Sequence, residues 1–144
     1  MDAIDRAIVQ LLQTNGRLSQ EQIARQVSLS RPAVHERLKR LEEQRVIRGY
    51  QARVDWQAMG LPLTAFIWIR TDLTPVAAVA TQILQTAETT ARVEECHRIT
   101  GDWCLLLKVR SESTLSLQDF LDRLRTVTGV LGTMTTVVLS SLRE

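Results

Sequence analysis

A chain of 144 residues, 44% hydrophobic and 24% charged, has the composition of a globular protein with room for one medium domain or two small ones, which excludes disorder throughout. Its longest mainly apolar stretch, 61–69, falls far short of the ~20 residues a membrane helix needs, the acid at Asp2 argues against a secretory leader, and two cysteines are too few for a disulfide framework, so a cytoplasmic protein with no membrane partner is expected. The net charge of +2 hides an asymmetry: residues 1–60 hold ten Lys/Arg against seven Asp/Glu and 61–144 hold eight against nine, a weak lean of the first part toward an acidic partner.

The first part reads as three helices. Ile4, Ala7, Ile8, Leu11 and Leu12 recur at helical spacing, and Asn15-Gly16 stops the run. Ser19 followed by Gln22 has the capping-box pattern, and Ile23 and Val27 stack one turn apart behind it. Ser28-Leu29-Ser30 interrupts this short second helix. Ser30 is a good cap for a third, and Pro32 sits in its first turn, where a missing N–H costs nothing. Val34, Leu38 and Leu41 give the third helix its apolar stripe. After Gln44 the composition of VIRGYQARVD suits a short extended strand, and the Gly60/Pro62 region reads as a boundary. The spacing thus divides the chain into 1–61 and 62–144.

The second part alternates in type. Residues 63–70 read as a strand, and a helix follows Thr74-Pro75, marked by Val76, Val79, Ile83 and Ala87. Residues 93–100 and 103–110 read as strands joined at Gly101-Asp102, a dipeptide that suits a two-residue hairpin loop. Leu117, Phe120, Leu121 and Leu124 mark a second helix that stops near Gly129, and 130–142 is a last strand. The order is β-α-β-β-α-β, which places two helices on one face of a four-stranded sheet. Phe66 and Trp68 fall on the other face, opposite Ala65, Ile67 and Ile69. An apolar open face on a small domain favours burial between subunits, so self-association is expected.

Three short helices, with a tight turn between the second and third, form a helix-turn-helix pattern. The N-terminal part of a recognition helix enters the major groove, which makes Ser30, Arg31, Pro32, Ala33, His35 and Glu36 the residues nearest base edges. Arg37, Lys39, Arg40, Arg45 and Arg48 are better placed for phosphates, contacts that position without reading sequence. Glu36, Glu42 and Glu43 dilute this positive charge and offer Arg37 and Arg40 partners along the helix.

The run IDRAIVQLLQTNGRLSQEQIARQVSLSRPAVHERLKRLEEQRVIRGYQARVD, followed by HRITGDW and a TTVVL strand, resembles the leucine-responsive/asparagine-regulator (Lrp/AsnC, feast/famine) family over nearly the whole chain. The resemblance implies an α+β chain: an N-terminal three-helix winged helix-turn-helix that binds double-stranded DNA, then a ferredoxin-like βαββαβ domain for effector binding and oligomerisation. It also implies a nucleoid-associated homodimer that builds tetramers or octamers, and a small effector, commonly an amino acid, in place of any cofactor. Carried over, Thr100, Gly101, Asp102 and Trp103 match the effector loop. Cys104 departs from it, because many relatives have an acid there, which leaves Asp102 as the carboxylate available to a ligand ammonium.

Other chemistries find little support. His35 and His97 are the chain's two histidines and lack catalytic partners in sequence. Cys96, His97 and Cys104 lack metal-ligand spacing, and adjacent strand residues point to opposite faces. With Gly101-Asp102 as the turn, Cys96 lies across from Leu107 and Cys104 across from Ile99, which argues against a disulfide. The expected function is therefore regulation of transcription at specific DNA sites under effector control, not catalysis. The alternative is an architectural protein that wraps or compacts DNA without an amino-acid effector.

Overall fold

The computed structural model describes residues 1–87 and 91–142. Helix α1 spans Ala3–Thr14, with Asp2 as its N-cap. Asp5 N–H donates to Asp2 Oδ1 at 2.8 Å and Asp2 N–H donates to Asp5 Oδ2 at 3.0 Å, so two orphan donors of the first turn satisfy each other's carboxylates. Helix α2 (Gln20–Gln26) starts at the expected Ser19–Gln22 capping box. Helix α3 (Arg31–Glu43) starts at Ser30, whose Oγ accepts from Ala33 N–H at 3.3 Å, with Pro32 in the first turn as expected. The turn between α2 and α3 closes as Leu29 N–H donates to the Ala24 carbonyl at 2.9 Å, with Ser28 at φ 55°. Ile8, Ile23, Val34, Leu38 and Leu41 are buried together, and these helices form one compact unit, Met1–Arg53.

The short strand expected over 46–55 does not form. β-branched residues favour extended backbone, but a strand exists only when a neighbour supplies ladder bonds, and no described residue pairs with this stretch. The region of the wing is therefore irregular, with bends at Val46 and Ile47 and neither helix nor strand over 48–55.

The second compact unit begins at Val54, ahead of the boundary read from sequence at 61. Trp56 belongs to it: the guanidinium carbons of Arg92 and Arg110 lie 4.9 and 5.4 Å from its ring centre. The elements then follow in the expected order as β1 (Leu63–Thr71), α4 (Val76–Ala87), β2 (Arg92–Arg98), β3 (Leu105–Ser111), α5 (Thr114–Leu124) and β4 (Val130–Val137). The sheet order is β2-β3-β1-β4 with every neighbour antiparallel. Ala65, Ile67 and Ile69 of β1 and Leu107 of β3 pack fully buried against Val79, Ile83, Phe120 and Leu124 of the two helices. On the open face Phe66 and Trp68 are half-buried, with ring centres 6.4 Å apart, and Leu106 and Met134 lie directly across from Trp68.

The last strand stops at Val137 instead of running to 142. Val138 N–H still donates to the Thr64 carbonyl at 2.9 Å, but Pro62 has no N–H and ends the ladder, leaving Leu139 and Leu142 almost fully exposed. Gly129 makes the turn into this strand at φ 93°. A Cβ there would lie 2.9 Å from both Thr74 Cβ and Val79 Cγ2, so only glycine fits.

Candidate nucleic-acid interface and effector loop

Helix α3 presents three kinds of surface. Val34, Leu38 and Leu41 form its buried stripe. Opposite them Pro32, Glu36, Lys39 and Glu43 are exposed, as the helical projection places them, and Arg31 and His35 are exposed near the N-terminal end. The side toward α1 is occupied by ion pairs. Arg37 Nη1 donates to Asp2 Oδ2 at 2.6 Å and to Asp5 Oδ1 at 2.7 Å, and Arg40 Nη2 donates to both oxygens of Asp5 at 3.0 and 3.1 Å. Asp5 is 2% exposed, whereas the Arg37 and Arg40 side chains are 23% and 49% exposed. Burial pushes the Asp5 carboxyl up, but the Asp2 amide and the two guanidiniums outweigh it and hold it below its ordinary value. The Asp2 carboxyl, accepting from the Asp5 amide and from Arg37, falls to about 2.

This arrangement corrects one expectation. Arg37 and Arg40 do not pair with the glutamates of their own helix; their partners are the aspartates of α1. The guanidinium of Arg37 is thereby engaged by two carboxylates, while Arg40 keeps half its side chain in solvent. Lys39 lies 4.0 Å from Glu43 one turn on, with both side chains largely exposed. Arg48 is exposed beyond the helix, and Tyr50 Oη donates to Glu42 at 2.9 Å. Burial and then that acidic partner push the Tyr50 hydroxyl up to about 12. On the side toward α2, the Gln20 amide nitrogen lies 3.1 Å from His35 Nδ1.

The loop between β2 and β3 has the expected register at its base: Cys96 pairs with Leu107, and Ile99 N–H donates to the Cys104 carbonyl at 3.0 Å. Both cysteines are free thiols. Thr100, Gly101 and Asp102 are exposed at the tip, with Gly101 at φ 104°, and Trp103 and Cys104 are half-buried behind them. Arg70 of β1 brings its guanidinium carbon 5.8 Å from the Trp103 ring centre. Cys104 N–H donates to the Ile69 carbonyl at 2.8 Å, so β3 begins hydrogen bonding to β1 right behind the loop. The hydroxyl and backbone amide of Thr71, and more weakly Arg98, pull the Cys104 thiol below its ordinary value. Position 104 is thus an environment that favours negative charge. His97 is exposed on β2 with its Nε2 2.8 Å from Glu95 Oε2. Among the described residues, no three His, Cys, Asp or Glu side chains group as metal ligands.

Two family models account for most of the chain: the AsnC-type helix-turn-helix domain over residues 1–42 and the Lrp/AsnC ligand binding domain over residues 64–144. The chain belongs to the Lrp/AsnC family of transcriptional regulators. It is 34% identical to the HTH-type transcriptional regulator FL11 of Pyrococcus abyssi over 144 residues, which is 100% of this chain and 93% of that protein. Among solved structures it matches the feast or famine regulatory protein of Mycobacterium tuberculosis complexed with L-methionine, with TM-score 0.89 and 36% identity over 99% of this chain and 95% of that one. It also matches the Neisseria meningitidis regulator in complex with L-Met, with TM-score 0.88 and 28% identity over 100% of this chain and 93% of that one. The expected fold, a helix-turn-helix head followed by a ferredoxin-like sheet, is the fold of these relatives. Lrp/AsnC proteins are DNA-binding regulators of transcription, not enzymes, and this chain is one of them.

Three groups beside the expected site residues were not singled out from sequence. The Asp2/Asp5 clasp on α3 carried a signal, an aspartate at the cap with another three residues on. Arg70, stacked on Trp103, and Gln20, bonded to His35, carried none, because each depends on a contact between elements distant in sequence.

Proposed function

We propose that this chain binds specific double-stranded DNA sites as a homodimer or a larger assembly, in the cytoplasm and on the nucleoid, with an amino acid as effector. The carrying observation is the exposed outer face of α3, on a helix held by α1 on one side and α2 on the other. Ser30, Arg31, Pro32, Ala33, His35 and Glu36 face base edges, and Lys39, Arg40 and Arg48 face phosphates. Arg37 serves the DNA indirectly, by holding α3 against Asp2 and Asp5. Two heads of a dimer would sit in successive major grooves ~34 Å apart. The open sheet face around Phe66, Trp68, Leu106 and Met134 supports self-association.

The L-methionine complexes of two relatives support an amino-acid effector here and make methionine the first to test. The lip Thr100, Gly101, Asp102, Trp103 and Cys104 is the proposed site. The exposed Asp102 carboxylate suits the ligand ammonium, and the Arg70 guanidinium suits its carboxylate. A thermal-shift screen against the twenty amino acids tests this part, since a ligand at 100 times its Kd stabilises the folded state by about 2.7 kcal/mol. A flat screen overturns the effector assignment. Footprints that never localise on any sequence would favour the architectural role instead.

A further inference from the structure

Gln20 and His35 meet across the turn of the helix-turn-helix, from the first residue of α2 to the second turn of α3. Gln20 is half-buried and His35 exposed, and both line the cleft between the two helix starts, together with Ser19, Glu21 and Arg31. Two side chains at the surface, fifteen positions apart, gain little stability from one hydrogen bond, so the contact does not hold the fold together. Its consequence is chemical. With Gln20 donating through its amide nitrogen at 3.1 Å, His35 Nδ1 must accept, and the proton of the neutral ring sits on Nε2. The two nitrogens of an imidazole point in widely diverging directions, so holding Nδ1 against α2 aims the Nε2–H donor away from it. His35 stands in the N-terminal half of α3, the part of a recognition helix that reaches base edges.

We infer that Gln20 is a specificity-determining positioning residue: it sets the tautomer and direction of His35, so that His35 offers a hydrogen-bond donor to an acceptor edge in the major groove. Acceptor edges are guanine N7 and O6, adenine N7 and thymine O4; the amino groups of cytosine and adenine are disfavoured at that position. The inference rests on the proposed sequence-specific binding and adds a residue outside the recognition helix to it.

The test selects duplexes from a randomised library with the full-length wild type, Gln20→Ala, Gln20→Asn and His35→Ala, then measures affinities for the wild-type site and for a shuffled duplex. The asparagine keeps the amide but is one methylene too short to reach the ring. Expected is a loss of about tenfold on the selected site for all three variants, within the range of one base contact. On shuffled DNA the change stays below about twofold. One base position relaxes, the same one in each variant, and Gln20→Ala/His35→Ala is no weaker than His35→Ala alone. A wild type that selects a site, with Gln20 variants that keep its full base preference, overturns this inference and leaves specific binding intact. Equal losses on selected and shuffled DNA also overturn it, since they describe a general helix defect. A wild type that selects no site overturns both this inference and the specific-binding reading.

Discussion

Replacing Asp5 with asparagine keeps the size of the side chain and an acceptor for the Asp2 amide, but removes the charge that Arg37 and Arg40 share. Breaking a buried ion pair by deleting one partner costs about 3–5 kcal/mol when the other charge stays buried. Here the stranded charges are not fully buried, since Arg40 is 49% and Arg37 23% exposed, and both recover part of their hydration. The expected cost is therefore about 2 kcal/mol. For a three-helix unit of this size that lowers the melting temperature by roughly 8–15 °C, read from the helical circular-dichroism signal. A melting temperature within about 2 °C of wild type would refute the reasoning, because it would mean that the clasp contributes nothing net.

The same clasp sets an acid limit. Asp2 and Asp5 are both held below the ordinary carboxylate value, Asp2 at about 2. A carboxyl with a depressed folded value contributes stability that is complete above its unfolded value, near 4, and that is lost as pH falls through the folded one. Wild type should thus be flat in stability from neutral pH down to about pH 5 and then lose it progressively toward pH 2. Asp5→Asn should show a shallower acid limb, and an unchanged limb would assign the acid loss to other groups.

Lys39→Ala should weaken binding to every duplex alike and reduce the slope of log K against log salt by about 0.9 per head, measured by fluorescence anisotropy; an unchanged slope would remove Lys39 from the phosphate set. Trp68→Arg puts a charge on the open sheet face without touching the core side of β1, so light scattering should show a smaller assembly, and an unaltered mass would locate the subunit contact elsewhere. Gly129→Ala forces a φ of 93° on a residue whose Cβ would lie 2.9 Å from Thr74 and Val79, and should cost about 3 kcal/mol in urea unfolding. A cost below about 0.5 kcal/mol would show that this turn relaxes freely.

What was legible depended on how locally each feature is encoded. The Ser19–Gln22 box, the Ser30 cap and the Val34/Leu38/Leu41 stripe lie within one or two turns of chain, and the structure has all three. The Gly101-Asp102 turn determined the pairing of Cys96 with Leu107 because a hairpin counts outward from its turn. That count breaks at Glu94, where the β2–β3 register shifts by a residue between Val93 and Glu95, and no local pattern announces such a bulge. The two misplaced strands share another cause. Both 46–55 and 138–142 have strand composition, but pairing requires a second backbone: the first stretch has none among the described residues, and Pro62 ends the ladder for the second.

The contacts flanking α3 change how its charge should be counted. Between Arg31 and Arg48 the sequence holds six bases, which suggests a strongly electrostatic grip. Arg37 belongs to Asp2 and Asp5, Arg40 is half committed to Asp5, and Lys39 is shared with Glu43. If three phosphate contacts remain per head, the proposed dimer would bind with a salt slope of ~−5 rather than the ~−11 that six per head would give. Affinity of the proposed dimer would then depend on engaging two heads at once, each weak alone, through the effective concentration a subunit contact provides. A regulator built this way loses its grip when an effector alters the assembly, even if no DNA-facing residue moves. On the proposed reading, the weak charge of the head would make binding depend on assembly, and the apolar open face of the sheet would make assembly available to control.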